Sequence, residues 1–227
     1  MNKTLAAQFF NRDASLIAKE LLGKVLRHYY QGIWLSALII ETEAYYLHEK
    51  GSHASLGFTE KRKALFMPPG TVYMYYARGG DSCNISCQGE GNAVLLKSGI
   101  PYLAEANENM LATMQLLNPL PNGGVRPINK LCAGQTLLCK SLGLKVPHWN
   151  QKPLDPQSLR VDDVGYQPMK IIQTTRLGIP KGRDEHLSLR FIDYQYATYS
   201  TSNPLTKRNW QEGKQYQLLD YADAIHV

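Results

Sequence analysis

Between Trp34 and Ile40 the chain runs Trp-Leu-Ser-Ala-Leu-Ile-Ile, apolar and β-branched enough for a strand covered on both faces. The run then changes character, ending in Glu41-Thr42-Glu43-Ala44-Tyr45-Tyr46. Strand side chains alternate, so Glu41, Glu43 and Tyr45 share one face and Thr42, Ala44 and Tyr46 the other, with same-face neighbours roughly 7 Å apart. Burial at the mouth of a core strand and a like charge alongside both raise the pKa of one carboxyl toward the range useful for proton transfer. The plain alternative is a pair of strand-end acids in water beneath two tyrosines that close the hydrophobic layer.

Around this strand the hydrophobic pattern predicts a helix opened by Asp13 and stopped at Gly23, a strand from Lys24 to Tyr30, and a tight turn at Gln31-Gly32 that makes a hairpin with the Trp34–Tyr46 strand. Periodicity is lost from Leu47 to Ala64, which predicts a long surface loop of the kind that carries function. A meander of short strands with glycine-rich corners follows: Val72 to Ala77, Asn84 to Cys87 and Ala93 to Lys97, separated by Arg78-Gly79-Gly80-Asp81 and Gln88-Gly89-Glu90-Gly91. Helical spacing covers Tyr102 to Leu117 and Asn129 to Leu142, two further strands fall at Met169–Thr174 and Ser188–Ile192, and the tail after Thr201 is polar and weakly patterned. Strands and helices are segregated rather than alternating, which predicts one α+β domain spanning residues 1–227, a curved, largely antiparallel sheet with packed helices.

Composition narrows the class. The 227 residues hold 44% hydrophobic residues, enough for one large core, and no stretch approaches the roughly 20 apolar residues that span a bilayer. The N-terminus lacks the apolar core of a secretory signal, so a soluble protein of the cytosol, nucleoid-associated in a bacterium, or of the nucleus is expected. Cys83 and Cys87 flank a strand-like run and Cys132 and Cys139 lie seven apart on one helical face, so buried, reduced thiols are expected and no metal site. The net charge of +6 is unevenly spread: residues 109–154 and 164–183 contain no acid, while Arg126, Lys130, Lys140, Lys145, Lys152, Lys170, Arg176, Lys181 and Arg183 fall within them. Such stretches form either a face that neutralises phosphates or a solvated basic surface without a partner.

Taken in order, Glu41-Thr42-Glu43-Ala44-Tyr45, Ser52-His53-Ala54, Phe66-Met67-x-Pro69-Gly70-Thr71-Val72-Tyr73-x-Tyr75, Asn84-Ile85-Ser86, Val94-Leu95-Leu96, Leu131-Cys132-x-Gly134 and Leu138-Cys139-x-x-Leu142 resemble the alkyladenine (3-methyladenine) DNA glycosylase family, from about Leu16 to Tyr199. The resemblance implies a monofunctional enzyme, monomeric and without metal or organic cofactor. It would flip an alkylated or deaminated purine nucleotide out of damaged double-stranded DNA and hydrolyse the N-glycosidic bond. Glu43 matches the family's general base, Tyr45 one wall of the base pocket, His53 and Tyr75 the opposing wall, and Asn84 an amide that discriminates against guanine-type exocyclic groups. A flipped base needs aromatic faces and a few polar contacts, and developing oxocarbenium charge favours a carboxylate nearby. Each residue also has a plainer role: core or interface aromatics at Tyr45, Tyr73 and Tyr75, a loop histidine at His53, and a turn residue at Asn84.

The chain departs from the family pattern at three places. The loop between Tyr45 and His53 is one residue shorter. Lys97 stands where many members carry an arginine that helps hold the nucleophilic water, and it is placed with Glu43 in the catalytic set. Arg78-Gly79-Gly80 replaces the Tyr-Gly-Met wedge that fills the hole left by the flipped nucleotide, which assigns Tyr73, Arg78 and Gly79 to DNA contact. Two other functions fit parts of the pattern. One is a glycosidase using Glu41 and Glu43 as an acid and base pair roughly 5 to 9.5 Å apart. The other is a damaged-nucleic-acid binding protein without catalysis.

Overall fold

The computed structural model describes residues 3–77 and 79–226. Among these residues ten strands form one sheet: β1 (Lys3–Thr4), β2 (Val25–Tyr30), β3 (Ile33–Tyr45), β4 (Val72–Ala77), β5 (Gly80–Ser86), β6 (Ala93–Pro101), β7 (Leu159–Asp163), β8 (Lys170–Thr174), β9 (Arg190–Asp193) and β10 (Tyr216–Asp220). The main path is β1-β7-β2-β3-β6-β5-β4, while β9 joins the far half of β3 and continues through β8 to β10. Paired strands run antiparallel. The helices are α1 (Ala7–Phe10), α2 (Ala14–Glu20), α3 (Glu108–Leu117), α4 (Gln135–Ser141), α5 (Val146–Trp149) and α6 (Tyr221–Ile225). The fold is α+β, as the segregation of strand and helix patterns predicts.

Asp13 caps α2 as expected, its carboxylate accepting from the backbone N–H groups of Ser15 and Leu16. The β2–β3 hairpin turns through Gln31 and Gly32, both at positive φ (47° and 90°), the geometry whose twist matches paired strands. The main core lies against α2, α3 and α4 and includes Ile17, Leu35, Ile39, Ala44, Met74, Ile85, Met114 and Leu138. A smaller layer holding Val25, Leu38 and Ile40 covers the opposite face of β3, so the central strand is buried on both sides.

Several boundaries differ from the sequence expectation. The Tyr102–Leu117 helix starts only at Glu108, because the Asn107 side chain accepts from the Met110 N–H and closes the helix there, leaving a 3₁₀ turn at Leu103–Glu105. The Asn129–Leu142 helix is likewise divided: a 3₁₀ turn at Ile128–Lys130 precedes Gly134, whose φ of 112° suits glycine, and α4 begins after it. Cys132 therefore lies ahead of the helix that carries Cys139, although both are buried. β6 runs to Pro101 and β5 begins at Gly80, inside the expected turn. β7 and β10 were not expected. Among the described residues no helix is long and apolar enough to cross a membrane.

Candidate active site

The central strand delivers its acids through two irregularities. In the β3–β6 register Ile39 faces Gly99, Glu41 faces Ser98 and Thr42 faces Leu96, so Ile40 and Lys97 are each the extra residue of a bulge. The Ile40 bulge inverts the phase of β3. Ala37 and Ile39 point into the main core before it, whereas Ala44 does so after it and Thr42 donates from Oγ1 to the Ala18 carbonyl of α2. Without the extra residue, Glu41, Glu43 and Tyr45 would stay in phase with Ile39 and enter the apolar layer. The Lys97 bulge frees one side chain of β6 from cross-strand packing and brings its Nζ to 3.3 Å from Glu43 Oε1.

A cavity of about 630 Å³ opens on this face, lined among others by Tyr45, His53, Tyr73, Tyr75, Asn84 and Lys97. That volume suits a small-molecule or nucleotide-sized ligand. Tyr73 and Tyr75 alternate with the core residue Met74 along β4, and their rings stack 5.5 Å apart at 26°. His53 enters from the loop after β3. Its ring meets Tyr75 edge-on at 4.4 Å, and Nδ1 shares a 3.0 Å hydrogen bond with the Tyr73 hydroxyl. Burial, followed by the positive charges of Arg62 and Arg183, lowers the His53 pKa and keeps the imidazole neutral near pH 7. Tyr73 is only 4% exposed, a buried member of the cavity wall. Asn84 pairs with Tyr73 across β4 and β5, and its amide donates to the Tyr73 carbonyl at 3.1 Å. Gly79, at φ 78°, has open space where a Cβ would stand. Arg78 lies outside the described residues.

Glu43 is fully buried beneath this wall. The Tyr45 hydroxyl donates to its Oε2 at 2.7 Å, while the Leu177 N–H at 3.2 Å and the Lys97 ammonium at 3.3 Å meet Oε1. A carboxylate has about four acceptor positions, so one on Oε2 stays open among the described residues. Burial, then the Glu43 charge and its hydrogen bond, raise the Tyr45 pKa well above the usual phenol range, and this hydroxyl is a standing donor.

Glu41 behaves differently from the expectation of a raised carboxyl pKa. Its Oε1 accepts from Arg190 Nε at 2.7 Å and Thr201 Oγ1 at 2.6 Å, and its Oε2 from Ser98 Oγ at 2.5 Å and the Thr201 N–H at 3.1 Å. Burial alone would raise the pKa, but the Arg190 charge and the Ser98 and Thr201 hydrogen bonds outweigh it and hold Glu41 below the ordinary value. With its acceptor positions filled and an arginine attached, Glu41 is not available as an acid. This removes the acid that a paired-carboxylate glycosidase requires.

Several lining residues escaped the motif reading. Gln135 and Thr136, which follow the motif residue Gly134 at the start of α4, Leu177 to Pro180 and Arg183 after β8, and Thr201 and Ser202 complete the cavity. The only sequence signal for them is that the first two groups fall in the acid-free stretches. Burial raises all four thiols, Cys83 and Cys132 to about 12, which leaves them inert at neutral pH. Among the described residues no group of three or more His, Cys, Asp or Glu is arranged to hold a metal ion.

The methylpurine-DNA glycosylase family model matches residues 8–197. Curated proteins named "Putative 3-methyladenine DNA glycosylase" match most of the chain. That from Pseudomonas savastanoi pv. phaseolicola is 61% identical over 97% of this chain and 99% of its own length. That from Pseudomonas aeruginosa PAO1 is 60% identical over 97% and 92%, and a more distant one from Koribacter versatilis is 32% identical over 83% and 88%. The chain belongs to the methylpurine-DNA glycosylase family.

Proposed function

We propose that this member of the methylpurine-DNA glycosylase family draws an alkylated or deaminated purine nucleotide, of the 3-methyladenine or hypoxanthine type, out of damaged double-stranded DNA. The base lies between Tyr45 on one side and His53 and Tyr75 on the other, with the Asn84 amide near its edge. Glu43 then takes a proton from water as the water oxygen bonds to the anomeric carbon. The C–N bond breaks and its electron pair leaves with the purine. A purine methylated on the ring departs neutral, so one carboxylate serves without a separate acid, whereas hypoxanthine departs as an anion and takes up one proton from solvent water.

The observation that supports this most is the state of Glu43. It has two hydrogen-bond donors, one ion pair and one open acceptor position, and all three of its partners, Tyr45, Leu177 and Lys97, line the aromatic cavity. Lys97 and Leu177 hold the carboxylate in place, and an anion here also offsets the positive charge that builds on the sugar. Because the Lys97 ammonium is committed to Glu43, water rather than lysine is the nucleophile and the enzyme is monofunctional. The test is a duplex carrying hypoxanthine or 3-methyladenine, incubated with the protein and chelator and then treated with alkali. Strand breaks at the lesion should depend on the alkali step, and borohydride should trap no adduct. Release of neither base with retained binding would make the protein a damage sensor, and an adduct lost in Lys97→Met would make lysine the nucleophile.

A further inference from the structure

Behind the cavity the guanidinium of Arg176 lies over Tyr45, its Cζ 4.5 Å from the ring centroid. The side chain is 4% exposed, and Nη1 donates to the Glu49 carboxylate at 2.5 Å and to the Ala44 carbonyl at 2.8 Å. Glu49 is itself buried. Nε and Nη2 have no hydrogen-bond partner among the described residues, so beyond the Glu49 carboxylate it is the face of the tyrosine ring that meets the planar cation. Tyr45 lines the cavity and Arg176 is screened from it.

Two cations set against one ring compete for the same π-electron density and repel each other across it. We infer that Arg176, with Glu49 as its counter-charge, is a specificity-determining residue that weakens the hold of Tyr45 on a cationic purine relative to a neutral one. This rests on the reading of Tyr45 as a wall of the base pocket. A purine nucleotide methylated on a ring nitrogen carries a positive charge, whereas hypoxanthine is neutral. Tyr45 backed by a guanidinium gains less from the first and stacks on the second much as an ordinary tyrosine does. The pocket therefore does not select for charge through this wall, which keeps neutral lesions within reach of the same site.

Single-turnover release of 3-methyladenine and of hypoxanthine from otherwise identical duplexes gives a ratio in which general losses of activity cancel. Replacing both partners, Arg176→Met with Glu49→Gln, leaves no buried charge uncompensated, and the ratio of cationic to neutral release should rise about threefold to tenfold. Glu49→Gln alone keeps an acceptor for Arg176 but removes its counter-charge, so the ratio should fall. Opposite shifts are not produced by packing, which slows both lesions together. A ratio unmoved in both variants, or moved the same way, overturns the inference, and should the double variant fail to fold, a ratio in Glu49→Gln that does not fall overturns it alone. Wild-type protein that releases neither base overturns the pocket reading and this inference with it, whereas wild-type release of both with an unmoved ratio overturns only the role of Arg176.

Discussion

At Glu43 the same three partners that fix the carboxylate make its loss specific in effect. Glu43→Gln keeps the volume and the acceptor for the Tyr45 hydroxyl but cannot take a proton from water, so base release should fall by about 10²- to 10⁴-fold. Gel-shift affinity for duplex with an abasic analogue should change little. Equal binding and equal release by the variant would remove Glu43 from the chemistry. A second residue sets a pH response far from the cavity. The Trp149 indole can only donate, so the 3.2 Å contact makes His28 Nε2 an acceptor and puts the ring proton on Nδ1, which donates to the Leu142 carbonyl at 2.6 Å. Burial lowers the His28 pKa, with the Leu142 carbonyl opposing and His148 adding to the shift. Below the ordinary value of 6.5 the unfolded chain binds a proton that the folded one refuses, so stability falls as pH drops from there toward the folded pKa. Denaturant midpoints should decline on acidification with a slope of at most about 1.4 kcal/mol per pH unit from this group. His28→Gln should flatten that part of the profile, and an unchanged slope would assign it elsewhere.

Among the elements, β3 and β9 are joined by the buried Glu41–Arg190 pair, which also reaches the Thr201 segment and, through Ser98, the Gly134 N–H at the start of α4. Removing one partner strands a charge, and Arg190→Met or Glu41→Gln alone should cost about 3 to 5 kcal/mol in chemical denaturation. The double replacement should cost less than either single change, and additive losses would show that the two groups do not act as a pair. β3 was legible in the sequence because burial on both faces reads as one continuous apolar run. β7 was not, since it offers only two apolar residues, Leu159 and Val161, and its Asp162 is buried among partners remote in sequence, Thr4 and Arg27, each 2.7 Å away. The Tyr102–Leu117 periodicity overran its start because Asn107 competes for the backbone. The aromatic walls and Glu43 could be located from local motifs, whereas Arg176 and Arg190 meet partners 127 and 149 residues away and left no local trace.

For the whole molecule, the uneven charge of the sequence acquires a direction once the chain is folded. Both acid-free stretches send residues to the cavity rim, Gly134 to Thr136 from one and Leu177 to Pro180 with Arg183 from the other, so the regions free of acids converge where a duplex would approach. Lys130 lies a few residues ahead of the first group in sequence and Lys181 directly follows Pro180 of the second, and both are exposed. Phosphate contacts act without regard to the base, so Lys130→Ala and Lys181→Ala should weaken binding to damaged and undamaged duplex alike. Each lost contact should reduce the slope of log affinity against log salt by about 0.9. Single-turnover release at saturating protein should stay near the wild-type rate, because neither side chain reaches Glu43. A variant that slows release at saturation while leaving the salt slope intact would place that lysine in the chemistry of the site and leave the basic rim without its phosphate role.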